Sequence, residues 1–174
     1  MKKTIFAIMM VFVMMFVMTA CGSSGPQTYA GFFSATIPEG FTADEEQSEF
    51  TRPCSVSPDD EEMIQVYIRH GDAEEEINSS VDYWADSSSP HKRLDDVTYG
   101  NITWYVESYT WDTWDVDDVE CCTFYTNADN GDFIEVNIFL LGHDNEEVVT
   151  MMESFAFEED AYNKNCDFIY SLSE

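Results

Sequence analysis

Hydrophobic positions along this chain fall into a few distinct rhythms. Ile5 to Met18 is an unbroken apolar run of 14 residues. After it, Phe33, Ala35 and Ile37 alternate with more polar neighbours, a strand pattern that Pro38 and Gly40 terminate. Residues 42–62 are polar and acidic and predict a loop or an edge strand around Arg52-Pro53-Cys54. Ile64, Val66 and Ile68 form a second alternating set. Ile77, Val81 and Trp84 then recur at the spacing of one helix face, and Ser87-Ser88-Ser89-Pro90 closes that helix.

The second half is richer in strands. Ile102, Trp104 and Val106 predict one strand within Val97–Trp111, Cys121–Thr126 a second, and Phe133–Leu141 a third with Ile134, Val136, Ile138 and Leu140 on one face. Between the last two, Asn127–Asp132 reads as a hairpin loop, with Asn130-Gly131 supplying the positive φ of a tight turn. Asp144 and Glu147 predict a capping-box start to a final helix whose Val148, Met152 and Phe155 face inward. The order strand, strand, helix, three strands, helix predicts an α+β domain, an antiparallel sheet with two or more helices packed on it.

The apolar run is too short to span a bilayer comfortably, since a spanning helix needs about 20 apolar residues. Lys2 and Lys3 before it make it a secretory signal peptide. Val17-Met18-Thr19-Ala20-Cys21 resembles the bacterial lipobox, with Met18 where Leu is usual. That resemblance implies cleavage after Ala20 and lipidation of Cys21. The expected organisation is a signal peptide over 1–20, a lipidated cysteine and flexible tether over 21–28, a domain over 29–158 and an extension over 159–174. The protein would then sit at the cell membrane, lipid-anchored, on the extracytoplasmic face.

Charge narrows the partners. The chain carries 35 acidic and 7 basic residues, and two of the seven leave with the signal. Nucleic acid is excluded as a partner, because phosphate binding needs clustered Lys and Arg. Anionic headgroups are disfavoured likewise, so membrane attachment falls to the acyl chains. With 44% hydrophobic and 15% aromatic residues, this is a folded acidic domain and not a disordered acidic tail.

The domain resembles the PsbP/Mog1-like group of small α+β domains, common as bacterial lipoproteins. The resemblance rests on Ile37-Pro38-Glu39-Gly40-Phe41 after the opening strand, the aromatic strand around Trp104, and the closing helix ending in Met151–Phe157. It implies an accessory or binding role without a shared catalytic residue set, so no site carries over. The acidic 42–62 segment, Cys121-Cys122 and the residues after Glu158 depart from it.

Four cysteines follow Cys21: Cys54, Cys121, Cys122 and Cys166. In an exported chain an even count predicts two disulfides. Adjacent strand residues point to opposite faces, so Cys121 and Cys122 are expected to take different partners, one Cys54 and the other Cys166. No Cys-x-x-Cys or matching histidine spacing suggests a metal or a cofactor, and Asn127–Asp132 fails the EF-hand ligand pattern because Thr126 and Ala128 would fall at ligand positions.

One segment carries candidate binding chemistry. Trp111, Asp112, Trp114, Asp115, Asp117 and Asp118 lie between two predicted strands. Indole faces stack on sugars or cations, and carboxylates accept hydroxyl hydrogen bonds or bind hard cations, so the loop is a candidate site for a glycan, a cationic peptide or Ca²⁺. The competing reading has both indoles covering the core and the aspartates forming a solvated rim. His70, His91 and His143 fall at predicted element ends and read as surface residues, and no catalytic motif occurs. The expected role is therefore non-enzymatic: binding or scaffolding outside the membrane, with an extracellular protein or glycan as partner, or a place as a subunit of a surface complex.

Overall fold

A computed structural model describes residues 25–128 and 131–157. Cys21, Asn130, Cys166, the apolar run and residues 158–174 lie outside the described residues. The elements are β1 (Gln27–Tyr29), β2 (Phe33–Ala35), β3 (Thr42–Ala43), β4 (Glu49–Pro53), β5 (Glu61–His70), α1 (Ala73–Trp84), β6 (Lys92–Arg93), β7 (Val97–Tyr99), β8 (Ile102–Trp111), β9 (Val119–Asn127), β10 (Asp132–Phe139), α2 (Glu146–Ser154) and β11 (Ala156–Phe157). Gln27 and Thr28, which composition assigns to the tether, pair with β2 in register.

Strands β3-β4-β5-β10-β9-β8-β6 form one large sheet, with β7 paired on β8, while β1-β2-β11 form a small one. All pairings are antiparallel. Alternation along the central strands lands in register: Val66 opposes Val136, Val136 opposes Phe124, and Phe124 opposes Val106. This apolar face packs against Phe32, Phe33 and Ala35 from the small sheet and against Val148, Met151, Met152 and Phe155 at α2. Phe33 stacks on Phe155 at 5.3 Å, and the Trp104 ring meets the Phe155 ring edge-on at 5.3 Å. The opposite face of the sheet is covered by α1, whose Ala73 and Ile77 pack on Tyr125 and Phe133.

Several elements depart from the sequence pattern. The closing helix stops at Ser154, and Ala156-Phe157 become β11 beside β2. Its N-cap is Asn145, whose side chain accepts from the Glu147 N–H at 2.9 Å; Asp144 does not cap it, and the Glu147 carboxylate turns to Arg52. Leu140 has φ +62°, so the chain turns out of the strand there. Leu141, not Leu140, joins the main core, and Leu140 packs with Cys54 and Cys121.

The cysteines need a correction as well. Cys54, Cys121 and Cys122 are buried free thiols, so the expected bridge from Cys54 to the adjacent pair is not formed. The opposite-face expectation does hold for the pair: Cys121 joins the Cys54 cluster and Cys122 the main core. Burial pushes the Cys121 thiol up to about 11 and raises that of Cys122 as well. Thiolate is the reactive form. Iodoacetamide at pH 8 is therefore expected to modify Cys121 about 100-fold more slowly in the folded protein than in urea, and Cys122 more slowly as well. Mass-mapped labelling checks this, and labelling that needs a reductant even in urea would restore a bridge.

Candidate functional site

The site forms where α1 runs out. Asp72 caps the helix, its carboxylate accepting from the N–H groups of Glu74 and Glu75, while Asn127 accepts from the Ala73 N–H at 2.7 Å. Glu74, Glu75 and Glu76 in the first turn suit the positive end of the helix dipole. Trp84 ends the helix, and the serine turn that follows is fastened to β8. The Ser89 hydroxyl donates to the Thr110 carbonyl at 2.5 Å and accepts from the Thr110 N–H at 3.0 Å.

That turn brings His91 back over the sheet between two aromatic rings. Trp84 stacks on His91 with ring centres 5.4 Å apart, and Tyr109 stacks on its other side at 4.2 Å. Only 13% of the His91 side chain is exposed, which corrects the surface reading for this residue. Sequence alone misses it because the Ser-Pro turn looks like a plain helix stop, whereas the sandwich joins residues far apart in the chain. His70 remains a surface residue, its side chain 77% exposed.

Around the sandwich, a cleft of about 490 Å³ is lined by Trp84, Ser87, Ser88, Ser89, His91, Tyr109, Thr110, Trp111, Asp112, Asp118 and Phe139. Of the candidate residues, Trp111, Asp112 and Asp118 therefore come together in it, and Trp114, Asp115 and Asp117 do not. Trp111 is 56% exposed and Trp114 83%, so neither indole covers the core. The Trp114 backbone N–H donates to Asp60, and the Ser57 hydroxyl bridges Asp60 and Asp115, tying this loop to the one between β4 and β5. The large apolar side chains exposed among the described residues are Val56, Tyr83, Trp84, Trp111, Trp114 and Val116. All six belong to these three neighbouring segments.

Behind His91 lies Glu107, 2% exposed. Its Oε1 accepts from the Tyr125 hydroxyl at 2.8 Å and from Ser80 at 3.2 Å. Its Oε2 lies 3.5 Å from His91 Nδ1 and has no hydrogen-bond partner. Ser80, His91 and Glu107 do not form a nucleophilic triad. Ser80 Oγ approaches the same nitrogen, Nδ1, at 3.3 Å, whereas a triad needs the serine and the carboxylate on opposite ring nitrogens.

A second grouping is Glu120, His143 and Asp144, whose donor atoms lie within 4.8 Å of one another, with His143 Nδ1 2.9 Å from Glu120. All three are at least partly exposed to solvent.

Burial raises the Glu107 pKa above its ordinary value, against the smaller lowering effects of the Tyr125 hydroxyl, His91 and Ser80. The folded state thus keeps this proton to a higher pH than the unfolded chain. The associated stability is full below the unfolded pKa and is lost as pH rises through the folded one. Glu107→Gln keeps an acceptor for Tyr125 and Ser80 and removes the buried charge. It is expected to raise Tm at pH 8 by about 3 °C, as for roughly 1 kcal/mol, and by less at pH 4. Thermal unfolding of the two proteins at both pH values checks this, and a larger gain at pH 4 would contradict it.

No protein-family model and no curated protein matches this chain. Among solved structures, it is similar to the solution structure of cyanobacterial PsbP (CyanoP) from Synechocystis sp. PCC 6803, at 16% identity and a TM-score of 0.46, over 79% of this chain and 95% of that one.

Proposed function

We propose that this chain is an exported, Cys21-anchored lipoprotein whose PsbP/Mog1-like domain captures a ligand outside the membrane without converting it. The observation that carries this reading is the convergence of the exposed apolar side chains on the end that holds the cleft. Scattered surface hydrophobics are ordinary, whereas their gathering at the end that holds a concavity, with Trp84 and Trp111 lining it, is a recognition feature. Aromatic side chains also supply large contact area at interfaces. Two physical arguments bear on catalysis. Nδ1 of His91 faces both Ser80 and Glu107, and the Glu107 carboxylate is buried and does not line the cleft.

The anchor reading rests on the charged, apolar and small-residue sequence ending in Cys21. Two acyl chains give stable attachment where a strongly acidic surface gives none. Among the described residues no helix is long and apolar enough to cross a membrane.

Intact mass of the membrane-extracted protein is expected to correspond to a chain starting at Cys21 and carrying a diacylglyceryl group. A chain beginning at Met1 in the soluble fraction would overturn the anchor. For the cleft, the full-length protein in nonionic detergent is titrated with methyl β-glucoside, choline and tetralysine while tryptophan emission is followed. At least one is expected to give a saturable change that Trp111→Ala loses and Trp114→Ala keeps. No saturable response to any of the three would overturn the binding role.

A further inference from the structure

We infer that the cleft beside Trp111 takes a small organic cation of the substituted-ammonium class. This deepens the binding reading above and rests on it. The argument begins with how the domain handles its own cations. Arg52 stacks on Phe41 at 4.4 Å and pairs with Glu62 and Glu147. Arg69 stacks on Tyr67 at 5.1 Å and pairs with Glu135. Arg93 stacks on Tyr105 at 5.1 Å and pairs with Glu74 and Asp96. Each arginine in the described residues thus sits on an aromatic ring and against carboxylates.

The cleft repeats the receiving half of that arrangement without a cation in it. Trp111 presents an indole that makes no ring contact among the described residues, and Asp112 and Asp118 line the same cavity. Each aspartate commits one oxygen to the loop. Asp112 Oδ1 accepts from the Asp118 N–H at 3.0 Å, and Asp118 Oδ1 accepts from the Thr110 hydroxyl at 3.3 Å. Their Oδ2 atoms take no partner from the described residues. The segments forming this end, 54–60, 82–91 and 109–118, contain neither lysine nor arginine. Ser87, which also lines the cleft, has a buried hydroxyl without a hydrogen-bond partner.

These features select among ligand classes. A hard metal ion wants six to eight oxygens closely spaced. Here two carboxylates share a cavity of about 490 Å³ with Trp84, Tyr109, Trp111 and Phe139. That size, and a lining that mixes four aromatic rings with a few polar groups, suit a small organic molecule. A positive charge on it gains from both the indole face and the carboxylates, and an alkyl-substituted ammonium gives up its water more readily than a metal ion does.

The test compares choline with its uncharged isostere 3,3-dimethylbutan-1-ol, by calorimetry and tryptophan emission on the full-length protein in nonionic detergent. Asp112→Asn with Asp118→Asn keeps both Oδ1 acceptors and removes both charges, so the loop is retained. The expected result is saturable choline binding at least about tenfold tighter than the isostere, weakened about tenfold or more by the double substitution, with an unchanged Tm. Equal affinity for choline and isostere would overturn the cation assignment, as would choline binding that the double substitution leaves intact. Binding of methyl β-glucoside in place of choline, lost in Trp111→Ala, would also overturn it while leaving the binding role standing. No response to choline would do the same.

Discussion

The register of the four central strands is the constraint on which the rest of this domain depends. Val66, Val136, Phe124 and Val106 lie opposite one another across β5, β10, β9 and β8, and Ile64, Ile138 and Cys122 form a second row. Side chains alternate with a period of two, so a slip of one residue in any of these strands would send its apolar set to the other face. The small sheet and α2 seal only the apolar side, through Phe33, Met151, Met152 and Phe155. Once that side is closed, the opposite face is free to carry polar groups: Glu107, Thr123 and Glu135 are all buried on it.

The cleft follows from a mismatch of lengths on that second face. The helix α1 covers Tyr125 and Phe133 but ends at Trp84, while β8 runs on to Trp111. The strip of sheet beyond the helix is covered instead by the serine turn and by His91 lying between Trp84 and Tyr109. A polar ring there is held by the buried Glu107 and Ser80 below it. The acidic excess shapes the same region by default. The three arginines are consumed inside the fold, leaving Lys92 as the remaining Lys or Arg of the described residues, and it lies on the short strand β6.

Much of this architecture was legible in the sequence wherever a period was sustained. The alternation at Ile64, Val66 and Ile68 and at Ile134, Val136 and Ile138 became β5 and β10, and the Ile77 spacing became α1. Where one residue changes the backbone, the pattern failed. The left-handed φ at Leu140 moves it out of its expected row, and no propensity marks a leucine for that conformation. Asn145 rather than Asp144 caps α2, a choice between neighbours of equal capping ability. The site was half legible. Of the tryptophans and aspartates singled out in one loop, Trp111, Asp112 and Asp118 line the cleft and Trp114, Asp115 and Asp117 do not. His91, Tyr109 and the end of α1 are brought in only by the tertiary fold.

An acidic surface in itself says little, because many surface carboxylates serve solubility. What separates Asp112 and Asp118 from the others is their company. Like many carboxylates of the described residues, both face water, and Asp112 accepts a backbone N–H. These two stand beside an indole more than half exposed, in a cavity that is also lined by Trp84, Tyr109 and Phe139 and by no lysine or arginine. Keeping that indole in water forgoes the burial that a Trp contributes elsewhere in the fold, as Trp104 does in the core. On the binding role proposed above, Trp111, Trp84 and the two aspartates form a surface whose complement is another molecule, with charge deciding which molecules fit.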